Sequence, residues 1–148
     1  DIGLARERVQ AAAVAAKSAG FKFMLTARAE NHLWGRNDLA DTISRLQAYQ
    51  EAGADVLFAP GLRTVEEIRT VLAAIDRPLN VIMGMAGVTI TLAQLQELGV
   101  RRVSIGGSLA RAAYGALELA GKEMLEQGTF GFAGAAPSNK HFNDIFKT

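Results

Sequence analysis

Short apolar runs alternate with longer amphipathic stretches along this sequence. The apolar runs are nearly continuous and rich in Val, Ile, Leu, Phe and Met, which is typical of parallel strands buried on both faces. They lie at about 22–28, 55–59, 79–83 and 101–105. Helical periodicity is found near 4–18, 38–52, 64–75, 90–98 and 107–127. The pattern therefore predicts an α/β protein with four parallel strands in sequential order and helices outside the sheet.

Residues that begin and end helices stand at the expected places in this pattern. Thr64 with Glu67 three residues later makes a capping box. Asp38 and Thr91 are predicted N-caps. Glycines at three helix exits permit the left-handed conformation that ends a helix, namely Gly20, Gly53 and Gly99. A loop and a short last helix are predicted at 131–148, with Phe142, Ile145 and Phe146 on one face.

Composition narrows the class of protein. A chain of 148 residues with 49% hydrophobic content suits one domain with a sizeable core. The net charge of +1, with acids and bases interleaved, gives no reason to expect nucleic acid or an anionic membrane as a partner. The absence of cysteine excludes disulfides and fits the cytoplasm. No apolar run approaches the ~20 residues that span a bilayer, and the N-terminus lacks both a signal-peptide pattern and a methionine.

The end of the first predicted strand carries the strongest candidate site. Arg28 follows five apolar residues, and its planar guanidinium can bind a carboxylate or phosphoryl group. Glu30 lies two residues on and points to the same side, so it could orient Arg28, contact a metal-bound water or form a plain salt bridge. In the loop that follows, His32 could line an active site but is expected to be solvated, and Trp34 could form the wall of a pocket but is expected to pack under the loop.

Two later segments offer further polar groups. Asn80 interrupts an apolar strand, where it could contact substrate or satisfy neighbouring backbone. Gly106, Gly107 and Ser108 join the last strand to a helix. Free N–H groups at such a helix start can hold an anion, although glycines also allow a tight turn and a serine can cap the helix. No cluster with metal-ligand spacing occurs, since His32 and His141 lie far apart.

The candidate strand end and the helix exit after it resemble the isocitrate lyase and phosphoenolpyruvate mutase superfamily. The matching positions are Arg28 and Glu30 at the strand end and Arg45, Tyr49, Ala52, Gly53, Ala54 and Asp55 at the helix exit. The resemblance covers essentially the whole chain but only the second half of the family's (β/α)8 TIM-type barrel. Periodicity alone leaves a small doubly wound sheet open. With the resemblance we expect a partial domain, 1–148, that forms the C-terminal half-barrel.

The resemblance also implies a function. Family members are magnesium-dependent and act on a small 2-oxo or dicarboxylic acid through an enolate, most often as carbon–carbon lyases. Arg28 matches the arginine that binds the acidic group of the substrate. The magnesium ligands are expected in the other half of the barrel, the assembly is expected to be a homo-oligomer, and this chain alone is expected to be inactive.

The sequence departs from two branches of the family at the second strand end. Ala59-Pro60-Gly61-Leu62 carries neither the His-Ser pair of the phosphonate-forming mutases nor the Pro-Glu of the methylisocitrate lyases. This segment therefore supports neither of these two specific activities. Lyase chemistry is the outcome expected from the resemblance, and phosphoryl transfer between oxygen and carbon is the alternative. A catalytically silent half-barrel that only binds or assembles is a third possibility.

Overall fold

The computed structural model describes residues 1–147, which divide into two compact units, Asp1–Gly106 and the residues from Gly107 onward. The helices of the first unit are α1 (Ile2–Lys17), α2 (Leu39–Glu51), α3 (Val65–Ala73) and α4 (Leu92–Glu97). Its strands are β1 (Thr26–Arg28), β2 (Val56–Phe58), β3 (Leu79–Ile82) and β4 (Arg102–Ser104). The second unit contains α5 (Ser108–Gln127) and α6 (Asn139–Ile145).

The four strands form one parallel sheet in the order β1-β2-β3-β4, as the sequence predicts. One face of the sheet packs on the helices. Leu57 and Leu79 are paired on this face and fully buried, and they join Leu46, Ile68 and Leu95 in the core. The sheet therefore buries one face under α2, α3 and α4. The opposite face carries a different set of residues, which includes charged and polar side chains.

The opposite face, called the inner face below, carries a row of residues in register. Arg28 pairs with Phe58, Phe58 with Asn80, and Asn80 with Arg102. Because paired residues of neighbouring parallel strands point the same way, all four side chains leave the sheet on the side away from the helices. The row has a cation at each end, with an aromatic ring and an amide between them, and it includes the last residues of β1 and β2.

The predicted helix ends are confirmed except at Gly20, because α1 ends at Lys17 with Ser18 as its cap and Gly20 lies in the turn beyond it. Thr64 and Glu67 form the reciprocal capping box at the start of α3, while the Asp38 side chain caps α2 and Thr91 caps α4. Gly53 and Gly99 follow the last residues of α2 and α4 with φ angles of +101° and +89°. These signals are local, so they act without help from the rest of the fold.

The first strand is shorter than predicted. Strand structure begins at Thr26 and not at residue 22, and Phe23 and Met24 are 51% and 53% exposed. The reason lies in the partner strand, because the chain opposite Leu25 is the turn before β2. The Asp55 carboxylate accepts a hydrogen bond from the Leu25 N–H at 2.8 Å, and the Asp55 N–H donates to the Leu25 carbonyl at 3.0 Å. The pattern of apolar residues cannot reveal where a partner strand begins.

The second unit is organised around one carboxylate. Glu123 on α5 accepts hydrogen bonds from the Thr129 hydroxyl at 2.8 Å and from the Phe132 N–H at 3.1 Å, and it also accepts one from the Gly131 N–H. These bonds, the Thr129 hydroxyl first, hold the pKa of Glu123 below its ordinary value. They fold the chain after α5 into a short 3₁₀ turn, Gly131–Gly134, and the predicted short last helix follows as α6.

Candidate functional site

Arg28 is the last residue of β1, and it forms an ion pair with Glu30. The Arg28 side chain is 53% exposed on the inner face, so a ligand can approach it without displacing the core. The indole N–H of Trp34 donates a hydrogen bond to the Glu30 carboxylate at 3.4 Å. The residue Trp34 is 77% exposed. The prediction that Trp34 packs under the loop is wrong, and the alternative holds, since the exposed ring lines a cleft beside the loop.

A buried asparagine closes the loop that follows β1. The Asn31 amide nitrogen donates to the Asp38 carbonyl at 3.1 Å, to the Asp41 carboxylate at 3.3 Å and to the Thr42 hydroxyl. These bonds tie the loop to the start of α2. Asp41 also accepts from Arg45 at 2.7 Å, a hydrogen bond that raises the pKa of Arg45. The side-chain oxygen of Asn31 is buried without a partner among the described residues.

The loops after the first three strands contact one another. Gly61 has a φ of +107°, and a Cβ built on it would lie 2.7 Å from the His32 Cβ, so only glycine fits between the first two loops. His32 is half-buried there, and not freely solvated as predicted. The Arg63 guanidinium donates to the Ala86 carbonyl in the third loop. The loops at this edge of the sheet are therefore linked in series.

Glu67 supports this linkage from α3. Its carboxylate accepts from the Arg63 N–H at 2.7 Å and from the Thr64 N–H at 3.0 Å. Partial burial raises the pKa of Glu67, but these hydrogen bonds, with a smaller contribution from His32, outweigh burial and leave the pKa below its ordinary value. The carboxylate is therefore held in the ionised form that accepts both bonds.

The inner face presents one buried amide between exposed cations. Asn80 is fully buried, and its amide nitrogen donates to the Ser104 hydroxyl oxygen at 3.0 Å. The side-chain oxygen of Asn80 has no hydrogen-bond partner among the described residues. The interpretation in which Asn80 satisfies neighbouring backbone is wrong, because its bond goes to a side chain. Sequence reasoning missed Arg102 and Ser104, since only the register of β3 and β4 brings them beside Asn80.

The turn after β4 leads into α5. Gly106 has a φ of +51°, and Gly107 is the residue that precedes α5. The Ser108 hydroxyl does not cap the helix as one alternative expected, because Ser108 is its first residue and its oxygen accepts from Arg111 at 3.2 Å. Arg111 therefore adds a positive charge close to this helix start.

A cleft of about 480 Å³ lies beside the loop after β1. Its lining includes Glu30, Trp34, Arg36, Arg45 and Tyr49. Because Glu30 also pairs with Arg28, the cleft adjoins the β1 end of the inner-face row.

The described residues do not form a metal site. Nowhere in 1–147 do three or more His, Asp or Glu residues lie close enough together to hold an ion. At the strand ends, Glu30 is engaged by Arg28. A magnesium ion takes about six oxygen ligands, commonly with one or two carboxylates, and the donors of this chain do not fit that requirement. Within the same residues, no helix is long and apolar enough to cross a membrane.

The fold is that of α/β proteins whose ligand sites generally lie at the C-terminal ends of the parallel strands. Residues 1–125 match the family model of phosphoenolpyruvate phosphomutase, so the chain belongs to that family. It is 36% identical over 89 residues to 2-methylisocitrate lyase of Aeropyrum pernix, an alignment that covers 59% of this chain and 29% of the archaeal enzyme. The predicted family resemblance is confirmed.

Solved structures extend the match to the whole chain. A protein of Burkholderia cenocepacia J2315 provisionally described as a lyase/mutase is 49% identical, with a TM-score of 0.94 over 100% of this chain and 53% of that one. A 2,3-dimethylmalate lyase of the PEP mutase/isocitrate lyase superfamily shares the fold, with 24% identity and a TM-score of 0.81 over 99% of this chain and 52% of its own. The chain thus spans about half the length of these structures. The predicted fold class, four βα units of a TIM-type barrel, is confirmed.

Proposed function

We propose that this chain forms part of a carbon–carbon lyase that acts on a small 2-oxo or dicarboxylic acid through an enolate. The observation that carries the proposal is Arg28, an exposed guanidinium at the end of a parallel strand, held in place by Glu30. The 36% identity to a 2-methylisocitrate lyase supports lyase chemistry over other reactions of the family.

In this proposal each residue of the inner face binds or orients. Arg28 binds a substrate carboxylate through paired hydrogen bonds, and Glu30 fixes the plane of the guanidinium. Asn80 offers its unpartnered side-chain oxygen, an acceptor, to a substrate hydroxyl. As a base takes the hydroxyl proton, the C–C bond breaks, the carbon that carried the hydroxyl becomes a carbonyl product, and the electron pair of the bond passes into an enolate whose oxygen hydrogen-bond donors stabilise. Gly106, Gly107 and Ser108 are proposed as a secondary anion site next to Arg111.

Further parts of the proposal concern the surroundings of the site. The magnesium ion common in the superfamily would be held by carboxylates outside the described residues. The protein is proposed to be a cytoplasmic homo-oligomer without nucleic-acid or membrane partners, in which residues 1–148 belong to one partial domain. Exposed apolar side chains on α5, among them Leu117, Leu119 and Leu125, support self-association.

The Arg28→Lys variant of the intact protein tests the proposal. Lysine keeps the charge but loses the planar fork, so kcat/KM for cleavage of 2-alkylmalates and 2-methylisocitrate should fall at least about tenfold. Arg69→Lys on the exposed side of α3 is the matched control and should leave the rate unchanged. Unchanged kinetics in Arg28→Lys would contradict the assignment.

The same assays separate the alternatives. The family model is named for a phosphomutase, so conversion between phosphoenolpyruvate and phosphonopyruvate should be followed by phosphorus NMR. A rate on that pair, with none on the hydroxy acids, would favour phosphoryl transfer. Turnover of neither class by the intact protein would favour the silent half-barrel.

The 148-residue chain on its own provides a second test. With no metal cluster among its described residues, it should bind magnesium weakly, show no turnover and associate through its exposed apolar side chains. Magnesium calorimetry and sedimentation velocity measure these properties. A tight stoichiometric metal site on a stable monomer would show that the chain is a complete metalloprotein.

A further inference from the structure

The cleft beside the loop after β1 has a lining that the proposed reaction leaves largely unused. Its volume of about 480 Å³ falls within the roughly 300–1,000 Å³ that is usual for small-molecule sites. One wall comes from the loop after β1, and the other comes from the face of α2 that carries Arg45 and Tyr49. The cleft is therefore large enough to hold a small molecule of its own.

One wall of the cleft contains a buried hydrogen-bond acceptor that lacks a donor. Asn31 lines the cleft and is only 9% exposed, and its side-chain oxygen has no partner among the described residues. The amide cannot be turned over, because its nitrogen donates to the Asp38 carbonyl and to the Asp41 carboxylate, which are both acceptors. A buried acceptor of this kind requires a donor from a ligand or from water.

Glu30 supplies a second acceptor to the same cleft. Its carboxylate accepts from Arg28 and from the indole N–H of Trp34, which leaves about two of the roughly four acceptor positions of a carboxylate open. A ligand hydroxyl has one proton and can satisfy only one of these two side chains. An ammonium group has three donors and a positive charge, so it can satisfy both Asn31 and Glu30. The acceptors of the cleft therefore favour a protonated amine.

Arg36 offers the complementary group next to these acceptors. The Arg36 N–H donates to the main-chain carbonyl of Asn31 at 2.9 Å, a bond that closes the loop and holds Arg36 beside Asn31. Arg36 is exposed and takes part in none of the ion pairs found in residues 1–147, so its guanidinium is open to a carboxylate. Arg45 also lines the cleft, but Asp41 already accepts from its side chain at 2.7 Å.

We propose that the cleft binds an α-amino acid with an aliphatic side chain. The ammonium group of the ligand binds Asn31 and Glu30, and its carboxylate binds Arg36. Its side chain lies against the exposed ring of Trp34, which removes apolar surface of both from water. This site is separate from the carboxylate site at Arg28 and does not rest on the proposed function, although Glu30 contacts both sites.

Three probes of matched shape test the proposal on the intact protein by calorimetry at pH 7. They are L-leucine, 4-methylpentanoate, which lacks the amine, and 3-methylbutylamine, which lacks the carboxylate. The wild type should bind leucine at least about tenfold more tightly than either analogue, because each analogue loses one charge-assisted interaction. Equal affinity for leucine and 4-methylpentanoate, or no binding of leucine, would overturn the proposal.

Substitutions of exposed residues locate the ligand without disturbing the core. Arg36→Gln removes the partner of the carboxylate, so it should weaken leucine at least about tenfold and leave 3-methylbutylamine within about twofold. Trp34→Ala should weaken leucine but not glycine, which has no side chain to lie on the ring. Arg77→Gln, at an exposed arginine before β3, is the matched control and should bind all the probes like the wild type. Unchanged leucine binding in Arg36→Gln would overturn the proposal.

Arg28→Lys separates the cleft from the site at the strand end. It keeps a positive charge beside Glu30, so leucine binding should stay within about twofold of the wild type. Leucine binding that is weakened about tenfold in Arg28→Lys and unchanged in Arg36→Gln would place the amino acid at the strand end and overturn the inference. Lyase activity is measured separately, so its absence contradicts the proposed function and leaves the amino-acid site standing.

Discussion

The two faces of the sheet differ in the polarity of their side chains. The helix-side face carries only apolar residues, and its paired members Leu57 and Leu79 are fully buried. The inner face carries Arg28, Phe58, Asn80 and Arg102 in one row, and the side-chain oxygen of the buried Asn80 lacks a hydrogen-bond partner among the described residues. The first face buries apolar surface that stabilises the fold, whereas the second holds polar groups that the described residues leave partly unpaired. Neighbouring residues of a single strand can therefore differ completely in what a mutation does.

Leu79 and Asn80 offer the strongest test of this contrast, as adjacent residues on opposite faces that are both fully buried. Leu79→Ala should lower the free energy of unfolding by about 3 kcal/mol, because it leaves a cavity in the core. Asn80→Ala should cost about 1 kcal/mol or less, since the amide makes a single bond. Urea unfolding measures both. Equal losses would show that the two faces contribute alike to stability.

Gly61 tests whether the loops bordering the inner face are as closely fitted as the core. Gly61→Ala places a methyl group 2.7 Å from the His32 Cβ at a φ of +107°, so stability should fall by about 2 kcal/mol. Gly115→Ala in the middle of α5 is the control, because nothing lies within 4 Å of the added atom. It should stabilise the chain by about 0.5–1 kcal/mol. A Gly61→Ala variant as stable as the wild type would mean that the first two loops can move apart without a loss of stability.

Glu67 gives the smallest expected effect, and it depends on pH. Its pKa is below the ordinary value of 4.5, so the ionised form is favoured in the folded chain. This contribution to stability is complete above about pH 4.5 and is lost as the pH falls through the lowered pKa. Because the carboxylate is partly solvated, the loss should be a fraction of 1 kcal/mol. Glu67→Gln keeps an acceptor for the capping box but cannot titrate.

Thermal unfolding of both proteins between pH 3 and 7 separates that contribution from general acid denaturation. The wild type should lose more stability than Glu67→Gln over this range. Identical pH profiles would show that the Glu67 hydrogen bonds do not favour the ionised carboxylate.

The sequence correctly predicted the features that depend on residues close together in the chain. It did not predict the features that depend on contacts between residues far apart in the chain. Thr64 with Glu67, Asp38 and Thr91 were recognised because a helix cap lies within three residues of its partner. The strand order was also predicted, since each βα unit places its strand beside the previous one. These features need no knowledge of the register.

The missed features all depend on the register or on packing at a distance. The first strand was predicted to include residues 22–25 and does not, because its partner β2 begins only at Val56. Arg102 and Ser104 were missed as site residues because only pairing with β3 brings them beside Asn80. Trp34 was expected under its loop, yet its indole N–H bonds to the exposed carboxylate of Glu30.

The serial contacts among the loops have an evolutionary consequence. Gly61 fits against His32, and Arg63 holds the carbonyl of Ala86, so the loop after β2 touches both of its neighbours. A replacement that enlarges Gly61 or shortens Arg63 disturbs two loops at once. Relatives that diverge toward other substrates must therefore change these loops as a set, and His32, Gly61, Arg63 and Ala86 should be inherited or exchanged together.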